Sequence, residues 1–514
     1  MSENSECEDE TPAMFSVRHY RRKENGMIDS DIAWQALTSR DTRFDGVFFV
    51  GVTSTGIYCR PICPVKAPLQ KNCLFFANAE AAEKAKFRPC LRCRPELAPG
   101  NAPVDNSHRV ADLLVQRLEQ GAIDETESLE EIAAQFDLSL RQLRRIVHKE
   151  LGVSPLELRQ TRRLLLAKQL LTETALPVTD IAYASGFASL RRFNDVFQRC
   201  YRMSPSQLRK TVVDEHAPPL NSTSTLELSY RPPFDWQIML DFLRGHAVLH
   251  IEHVDDISYS RTVALGQHQG WIRVTHHQKK PVLLVEFTHS LLPVLPALLR
   301  RLRNLFDLNA QPACIDEALR QDPLLAKSVA DFPGLRIPGA FDGFELTVRA
   351  ILGQQITVKA ATTLGGRFAN AFGDKIETPF PTLSRLPPSA TRIHHATLDE
   401  IASLGIISAR AKCILALAEA CSSGALILDA CPWPQKIIAQ LKALPGIGDW
   451  TAQYVAMRAL RWPDAFPAGD IVIRNNLGGM TAKQAEQRSA VWRPWRSYAV
   501  MHIWRSLGKN GIRK

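Results

Sequence analysis

The 514-residue sequence predicts a multidomain, mostly α-helical protein with strands confined to two segments. Three observations carry that prediction. Long stretches after His108 and again after Asp316 repeat their apolar residues at the three- and four-residue spacing of amphipathic helices. Two other stretches, Phe48 to Val52 and Leu226 to Phe287, carry the aromatic and β-branched patterning of strands. Two runs rich in turn-forming residues, 95–106 and 212–225, punctuate the chain as linkers. The expected order is a flexible polar tail over 1–30, a small α/β unit over 31–97, an all-α unit over 105–212, an α+β unit over 226–306 and an all-α unit over 316–514.

Composition narrows the class. Lys and Arg number 63 against 53 Asp and Glu, a formal charge of +10 that favours a polyanionic partner. Met1 to Glu10 is polar and acidic, and no apolar run approaches the ~20 residues that span a bilayer. A cytoplasmic protein with no membrane partner is expected. Eleven cysteines, an odd number without a signal peptide, point to free thiols or metal ligands rather than a disulfide framework.

In the first unit, Cys59 and Cys63, then Cys90 and Cys93, form two close pairs around a loop, the spacing of a four-thiolate zinc site. Cys73, between the pairs, reads as a small apolar residue rather than a fifth ligand. The wider pattern, Thr55-Gly56-Ile57-Tyr58-Cys59-Arg60-Pro61-x-Cys63 and Phe87-Arg88-Pro89-Cys90-x-Arg92-Cys93, resembles the Ada-type methyl-phosphotriester repair domain. The resemblance implies that Cys59 is both ligand and methyl acceptor. Four thiolates on a divalent metal leave about two negative charges, and alkylating one sulfur removes about one of them. Methylation is therefore expected to act as an irreversible switch toward tighter DNA binding.

The second unit opens with a capping-box pair, Ser128 and Glu131, ahead of a helix. A second helix from Ser139 carries Arg141, Arg144 and Arg145 opposite Leu140, Leu143 and Val147. After a long helix, Leu156 to Leu171, the scheme repeats: Val178 to Ala182, a turn at Gly186-Phe187, then a helix from Ser189 with Arg191 and Arg192. Two helix-turn-helix units on one long helix resemble the AraC-type DNA-binding domain, from which the sequence departs at Arg202-Met203, where a glycine is usual. The resemblance implies that the helices from Ser139 and Ser189 each enter a major groove, with Arg141, Arg144, Arg191 and Arg192 pointing toward DNA.

The remainder turns on Leu444-Pro445-Gly446-Ile447-Gly448-Asp449-Trp450-Thr451-Ala452, with Asp470 following. It reads as helix, glycine turn, helix, and the free N–H groups at the second helix suit a DNA phosphate. Gly446 and Gly448 can take positive φ and let the backbone approach a partner closely. Trp450 and Tyr454, four residues apart, share a helix face. The stretch resembles the helix-hairpin-helix superfamily of base-excision glycosylases. Arg231-Pro232-Pro233-Phe234-Asp235-Trp236 and Val348 to Gln355 extend the likeness to the AlkA-type alkylpurine enzymes from about Leu226 to the end. That likeness implies a catalytic acid at Asp470, a pocket of Trp450, Tyr454, Trp495 and Phe242, a wedge at Gln355 and a backbone grip at Gly446 and Gly448. It also implies hydrolysis without strand cleavage, since Trp450 stands where strand-cutting relatives carry lysine. No cysteine follows Cys431, so the iron–sulfur cluster of some relatives is not expected.

The resulting expectation is a DNA alkylation repair protein that excises 3-methyladenine-type bases, accepts methyl groups at Cys59 and then activates transcription, with RNA polymerase a further partner. The competing expectation is a regulator whose glycosylase half only grips DNA.

Overall fold

The computed structural model describes residues 30–41, 44–98, 113, 128–136, 138–212, 222–431 and 433–506. The expected tail, apart from Ser30, lies outside them, as do 99–106 of the first linker and 213–221 of the second.

The first unit starts with α1 (Ser30–Thr38) and places α2 (Ala79–Lys84) beside a four-stranded sheet ordered β3-β1-β2-β4. Its strands are β1 (Phe49–Val52), β2 (Ile57–Cys59), β3 (Cys73–Phe76) and β4 (Arg88–Pro89). Aromatic side chains fill this small unit, and Phe49 packs edge-on to Tyr58. Gly51 must be glycine there, because a Cβ would lie 2.6 Å from the Phe76 ring and 3.0 Å from that of Phe87.

The second unit is helical, as its periodicity predicts. Its helices are α3 (Leu129–Gln135), α4 (Leu140–Leu151), α5 (Pro155–Glu173), α6 (Val178–Ala184), α7 (Leu190–Tyr201) and α8 (Pro205–Val212). Ser128, Ser139 and Ser154 each close a full capping box on the residue three positions on. The first helix pair buries Ile132, Phe136, Leu143 and Val147, and the second builds a ladder of Phe187, Phe193, Phe197 and Tyr201. At the end of α4 Gly152 takes φ +71, while the matching position after α7 is Arg202 at φ +56. The missing glycine therefore changes the residue and keeps the left-handed cap.

A five-stranded antiparallel sheet ordered β5-β9-β8-β7-β6 follows: β5 (Thr223–Ser229), β6 (Glu252–Val254), β7 (Ser258–Leu265), β8 (His268–His276) and β9 (Val282–Thr288). Strand β5 begins three residues inside the expected linker, because Thr223 to Thr225 pair with Glu286 to Thr288. Helix α9 (Trp236–His246) lies between β5 and β6, and α10 (Leu295–Leu305) follows the sheet.

The last unit is α-helical. Helices α11 (Pro312–Leu319), α12 (Pro323–Asp331), α13 (Gly343–Leu352) and α14 (Val358–Phe372) come first. Then come α15 (Ala390–His394), α16 (Leu398–Ala402), α17 (Ser408–Ser422) and α18 (Pro434–Ala443). Helices α19 (Asp449–Arg458), α20 (Ile471–Asn476), α21 (Ala482–Arg488) and α22 (Arg496–Ser506) complete it. Arg261 ties the sheet to this unit: fully buried on β7, it pairs with Glu345 of α13 at 2.7 Å and lies 4.1 Å over the Phe341 ring.

Helix α5, at 19 residues about 28 Å long, is the spine between the halves. Toward the first unit, Lys168 is buried and donates to the Cys90 carbonyl at 3.2 Å and to Glu96. Thr161 donates to Glu83 of α2 at 2.7 Å. Toward the sheet, Gln169 donates to the Glu227 carbonyl at 2.9 Å, and Glu173 accepts the Glu227 N–H at 2.9 Å while pairing with Arg94. A second bridge bypasses the spine: buried Arg231 donates to the carbonyl of Asp45, whose carboxylate holds Arg60 beside Cys59. Pairing and hydrogen bonding offset part of the cost of burying these charges.

Candidate metal centre and candidate nucleic-acid cleft

The four cysteines converge because of one strand pairing. Strands β2 and β4 run parallel, with Tyr58 opposite Pro89, so Cys59 at the end of β2 meets Cys90 just past β4. The Cys90 N–H donates to the Tyr58 carbonyl at 2.9 Å, and a turn closed by Cys63 N–H to Arg60 carbonyl folds the second thiol back. All four Sγ atoms lie within 4.8 Å of one another. Zinc–sulfur bonds of about 2.3 Å in a tetrahedron would separate sulfurs by about 3.8 Å, so the set fits zinc. Backbone N–H groups of Arg60 and Arg92 point at the sulfurs of Cys93 and Cys90, at 3.3 and 3.4 Å, which offsets thiolate charge. Cys63, Cys90 and Cys93 are buried, whereas Cys59 is half-buried and so is the ligand a bulky reactant meets first. Cys73 stands apart on β3, its thiol directed at the Leu69 carbonyl.

The other site is a cleft of about 820 Å³ between the α+β unit and the helical unit. Helix α9 contributes Phe242 and His246, α19 contributes Trp450, Tyr454 and Arg458, and α22 contributes Met501 and Trp504. Trp450 and Tyr454 stack at 5.2 Å and 11°, as four-residue spacing on one helix allows. Beneath them Arg458 is buried, bonded to the carbonyls of Pro338 and Gly339 and to the Tyr454 hydroxyl. Its guanidinium lies 4.9 Å from the Phe242 ring and 5.3 Å from that of Tyr454.

Asp470 caps α20 at the cleft's edge and accepts four N–H groups. Oδ1 takes the backbone N–H groups of Val472 and Ile473 at 2.9 and 3.0 Å and the Trp504 indole at 3.3 Å, while Oδ2 takes the Trp450 indole at 2.9 Å. The carboxylate is thus anchored to two tryptophans of the cleft.

Trp495 is not brought there. It precedes α22, whose cleft-lining residues lie at the opposite end, and it packs edge-on against Tyr498. Trp504 takes that place. The signal was present in the sequence as Met501, Trp504 and Arg505, an i, i+3, i+4 set that all lines the cleft. Gln355 is exposed at φ +56 in the turn between α13 and α14, beside cleft residues Gly353 and Ile356. Its neighbour Gln354 ties that turn to the hairpin by donating to the Gly446 carbonyl at 2.9 Å and to Thr451 at 3.1 Å.

In the hairpin Gly446 takes φ +85 with its would-be Cβ 3.3 Å from Cys413. Gly448 does not take positive φ: at φ −86 it is the ordinary extended cap of α19, and the open space where a Cβ would be leaves its backbone accessible. Arg141 and Arg144 on α4, and Arg191 and Arg192 on α7, are all exposed on the faces opposite buried Leu143 and Phe193.

Four family models match the chain: "Metal binding domain of Ada" over residues 32–96, "Helix-turn-helix domain" over 132–211, "AlkA N-terminal domain" over 225–342 and "HhH-GPD superfamily base excision DNA repair protein" over 348–495. The "Probable bifunctional transcriptional activator/DNA repair enzyme AlkA" of Mycobacterium tuberculosis is 38% identical over 489 residues, 93% of this chain and 97% of that protein. The Escherichia coli "DNA-3-methyladenine glycosylase 2" is 35% identical over 55% of this chain and 97% of its own. Among solved structures, the 3-methyladenine DNA-glycosylase from Archaeoglobus fulgidus shares the fold at a TM-score of 0.50 and 17% identity, over 56% of this chain and 99% of that one. With a relative this similar over nearly its whole length, the chain belongs to the family of bifunctional transcriptional activator/DNA repair enzyme AlkA proteins.

Proposed function

We propose that the chain detects alkylated DNA at Cys59 and excises alkylated purines in the cleft, as one polypeptide. The observation that carries the second half is Asp470, fixed by two indole N–H groups at the edge of an aromatic cleft. A 3-methyladenine-type base is cationic, and the faces of Trp450, Tyr454 and Phe242 suit a cation. Extrusion from the duplex costs a few kcal/mol, with Gln355 filling the gap and the N–H groups after Gly446 and Gly448 holding the backbone. Asp470, held in place by its donors, stabilises the oxocarbenium-like sugar and aligns a water molecule. The water oxygen bonds to C1′ as its proton passes to the Asp470 carboxylate, the C1′–N bond breaks, and its electron pair leaves with the base, which becomes neutral. Trp450 offers no amine for a Schiff base, so the product is an intact strand with an abasic site.

For the first half, Cys59, Cys63, Cys90 and Cys93 would hold zinc, whose positive charge would keep the sulfurs deprotonated. The accessible Cys59 sulfur attacks the methyl carbon of a phosphotriester; the S–C bond forms, and the O–C pair leaves on the phosphate. The thioether is not reversed, so each chain reacts once. The lost negative charge favours DNA binding through Arg141, Arg144, Arg191 and Arg192, and promoter-bound protein would contact RNA polymerase. The same proposal divides the chain into units over 31–97, 105–212, 226–306 and 316–514, takes zinc as the metal without an iron–sulfur cluster, and sets the action in the cytoplasm at the nucleoid. No described helix is long and apolar enough to cross a membrane.

One experiment tests both halves: base release from methylated duplex DNA with mass analysis of Cys59. Asp470→Asn is expected to lower base release by about 100-fold or more, leaving methyl uptake intact, and Cys59→Ser to do the reverse. Equal base release by wild type and Asp470→Asn would reduce the C-terminal half to a DNA-gripping module.

A further inference from the structure

His246 lines the cleft one helical turn beyond Phe242 and has no part in the excision step. Its ring stacks on Phe242 with centroids 4.3 Å apart and planes 17° apart, so it covers one face of Phe242 and itself lines the cleft. Nδ1 lies 2.7 Å from the Phe242 carbonyl oxygen. A carbonyl only accepts, so Nδ1 carries the proton and Nε2 a lone pair. Burial, with the Arg458 and Arg349 guanidiniums adding to it, pulls the imidazole down to about 4, and the ring is neutral at physiological pH. None of the described residues offers Nε2 a hydrogen bond.

That lone pair is unusual in the cleft, because neighbouring polar groups are engaged. Both indole N–H groups serve Asp470. Arg458 is taken up by carbonyls and the Tyr454 hydroxyl, and Arg349 by Glu252 and the His246 carbonyl. A planar base entering the cleft beside the edge of the His246 ring would meet an acceptor that asks for a donor. The purine edge offers one in an exocyclic amine, and a positive charge on the ring strengthens that donor about twofold.

We propose that His246 is a specificity-determining residue, its Nε2 accepting a hydrogen bond from the exocyclic amino group of the extruded purine. The proposal rests on the glycosylase reading and deepens it. A purine with oxygen in place of the amine would set two lone pairs face to face. The neutral ring also spares a cationic base a further positive charge beside Arg458 and Arg349.

The test uses the full chain and two duplexes, one with 3-methyladenine and one with hypoxanthine, whose C6 bears oxygen. Single-turnover rates are compared for wild type, His246→Phe and His246→Gln, with thermal melting to show that each variant is folded. Phenylalanine keeps the stack and deletes the acceptor; it is expected to slow 3-methyladenine release roughly tenfold while leaving hypoxanthine release level or faster. Glutamine offers an acceptor and is expected to hold the wild-type ratio, and it carries the test if the phenylalanine variant melts early. An unchanged ratio in His246→Phe, or a lost one in folded His246→Gln, overturns the proposal. A wild type that releases neither base overturns the glycosylase reading instead.

Discussion

The metal centre and the cleft are built on different scales. All four sulfurs come from Cys59 to Cys93, brought together by one short parallel pairing of β2 with β4. The cleft draws Phe242, Trp450, Tyr454, Asp470 and Trp504 from two units and three distant helices plus a cap. In the first site the sulfurs form a small cluster of their own, apart from the aromatic core of the unit, so their geometry would depend on the ion they hold. In the second it depends on the helical core, which persists whatever occupies the cleft. A small unit that leans on metal should fail as a unit when a ligand goes, whereas a cleft on a large core should lose chemistry alone.

The hardest test of that contrast is Cys90→Ser. Structural zinc contributes on the order of 10 kcal/mol to folding in small domains, and serine is a poor substitute for a thiolate. The variant is expected to lose zinc and to become protease-sensitive within residues 44–98, while base release from methylated DNA continues. Parallel loss of both would show that the halves stand or fall together through α5.

A smaller effect probes that same joint. Glu83 accepts hydrogen bonds from Tyr58 at 3.0 Å and from Thr161 on the spine at 2.7 Å. Burial raises its carboxyl from 4.5 to about 7. The folded state thus binds a proton that the unfolded state has released between these values, so stability is greatest at low pH in this window and falls as pH rises to about 7. The loss is about 3 kcal/mol by the size of the shift, and it is flat above. Glu173, also raised to about 7 by burial, adds in the same direction. Urea unfolding at about pH 5 and about pH 7.5 should show a shallower drop for Glu83→Gln than for wild type; equal slopes would remove Glu83 from the joint.

The two sites also differ in how much of them the sequence discloses. Cysteine spacing is a local signal, and the four ligands could be named without knowing the fold. Helices were equally legible where caps and periodicity agree, as at Ser128, Ser139 and Ser154. The start of β5 was not, because Thr223 and Ser224 look like linker until β9 pairs with them. Long-range convergence is where reading by motif broke down: a tryptophan near a recognisable turn, Trp495, drew attention from one in an unremarked helix end, Trp504. Gly448 shows the same limit, since a glycine's presence does not reveal which φ it adopts.

The choice between those tryptophans is the finest test of the comparison. Trp504 donates to Asp470 Oδ1 at 3.3 Å, a long bond beside three shorter ones, and its ring lies 6.3 Å from that of Tyr454. Phenylalanine at 504 keeps an aromatic face and removes only the N–H. A hydrogen bond to a charged group contributes about 1.5–3 kcal/mol, and the length here puts this one at the low end. Trp504→Phe is therefore expected to slow base release about tenfold without shifting the melting temperature. Trp495→Phe, outside the cleft, should leave the rate unchanged. The reverse ranking would return Trp495 to the site and mean that α22 moves its N-terminal end inward when DNA binds.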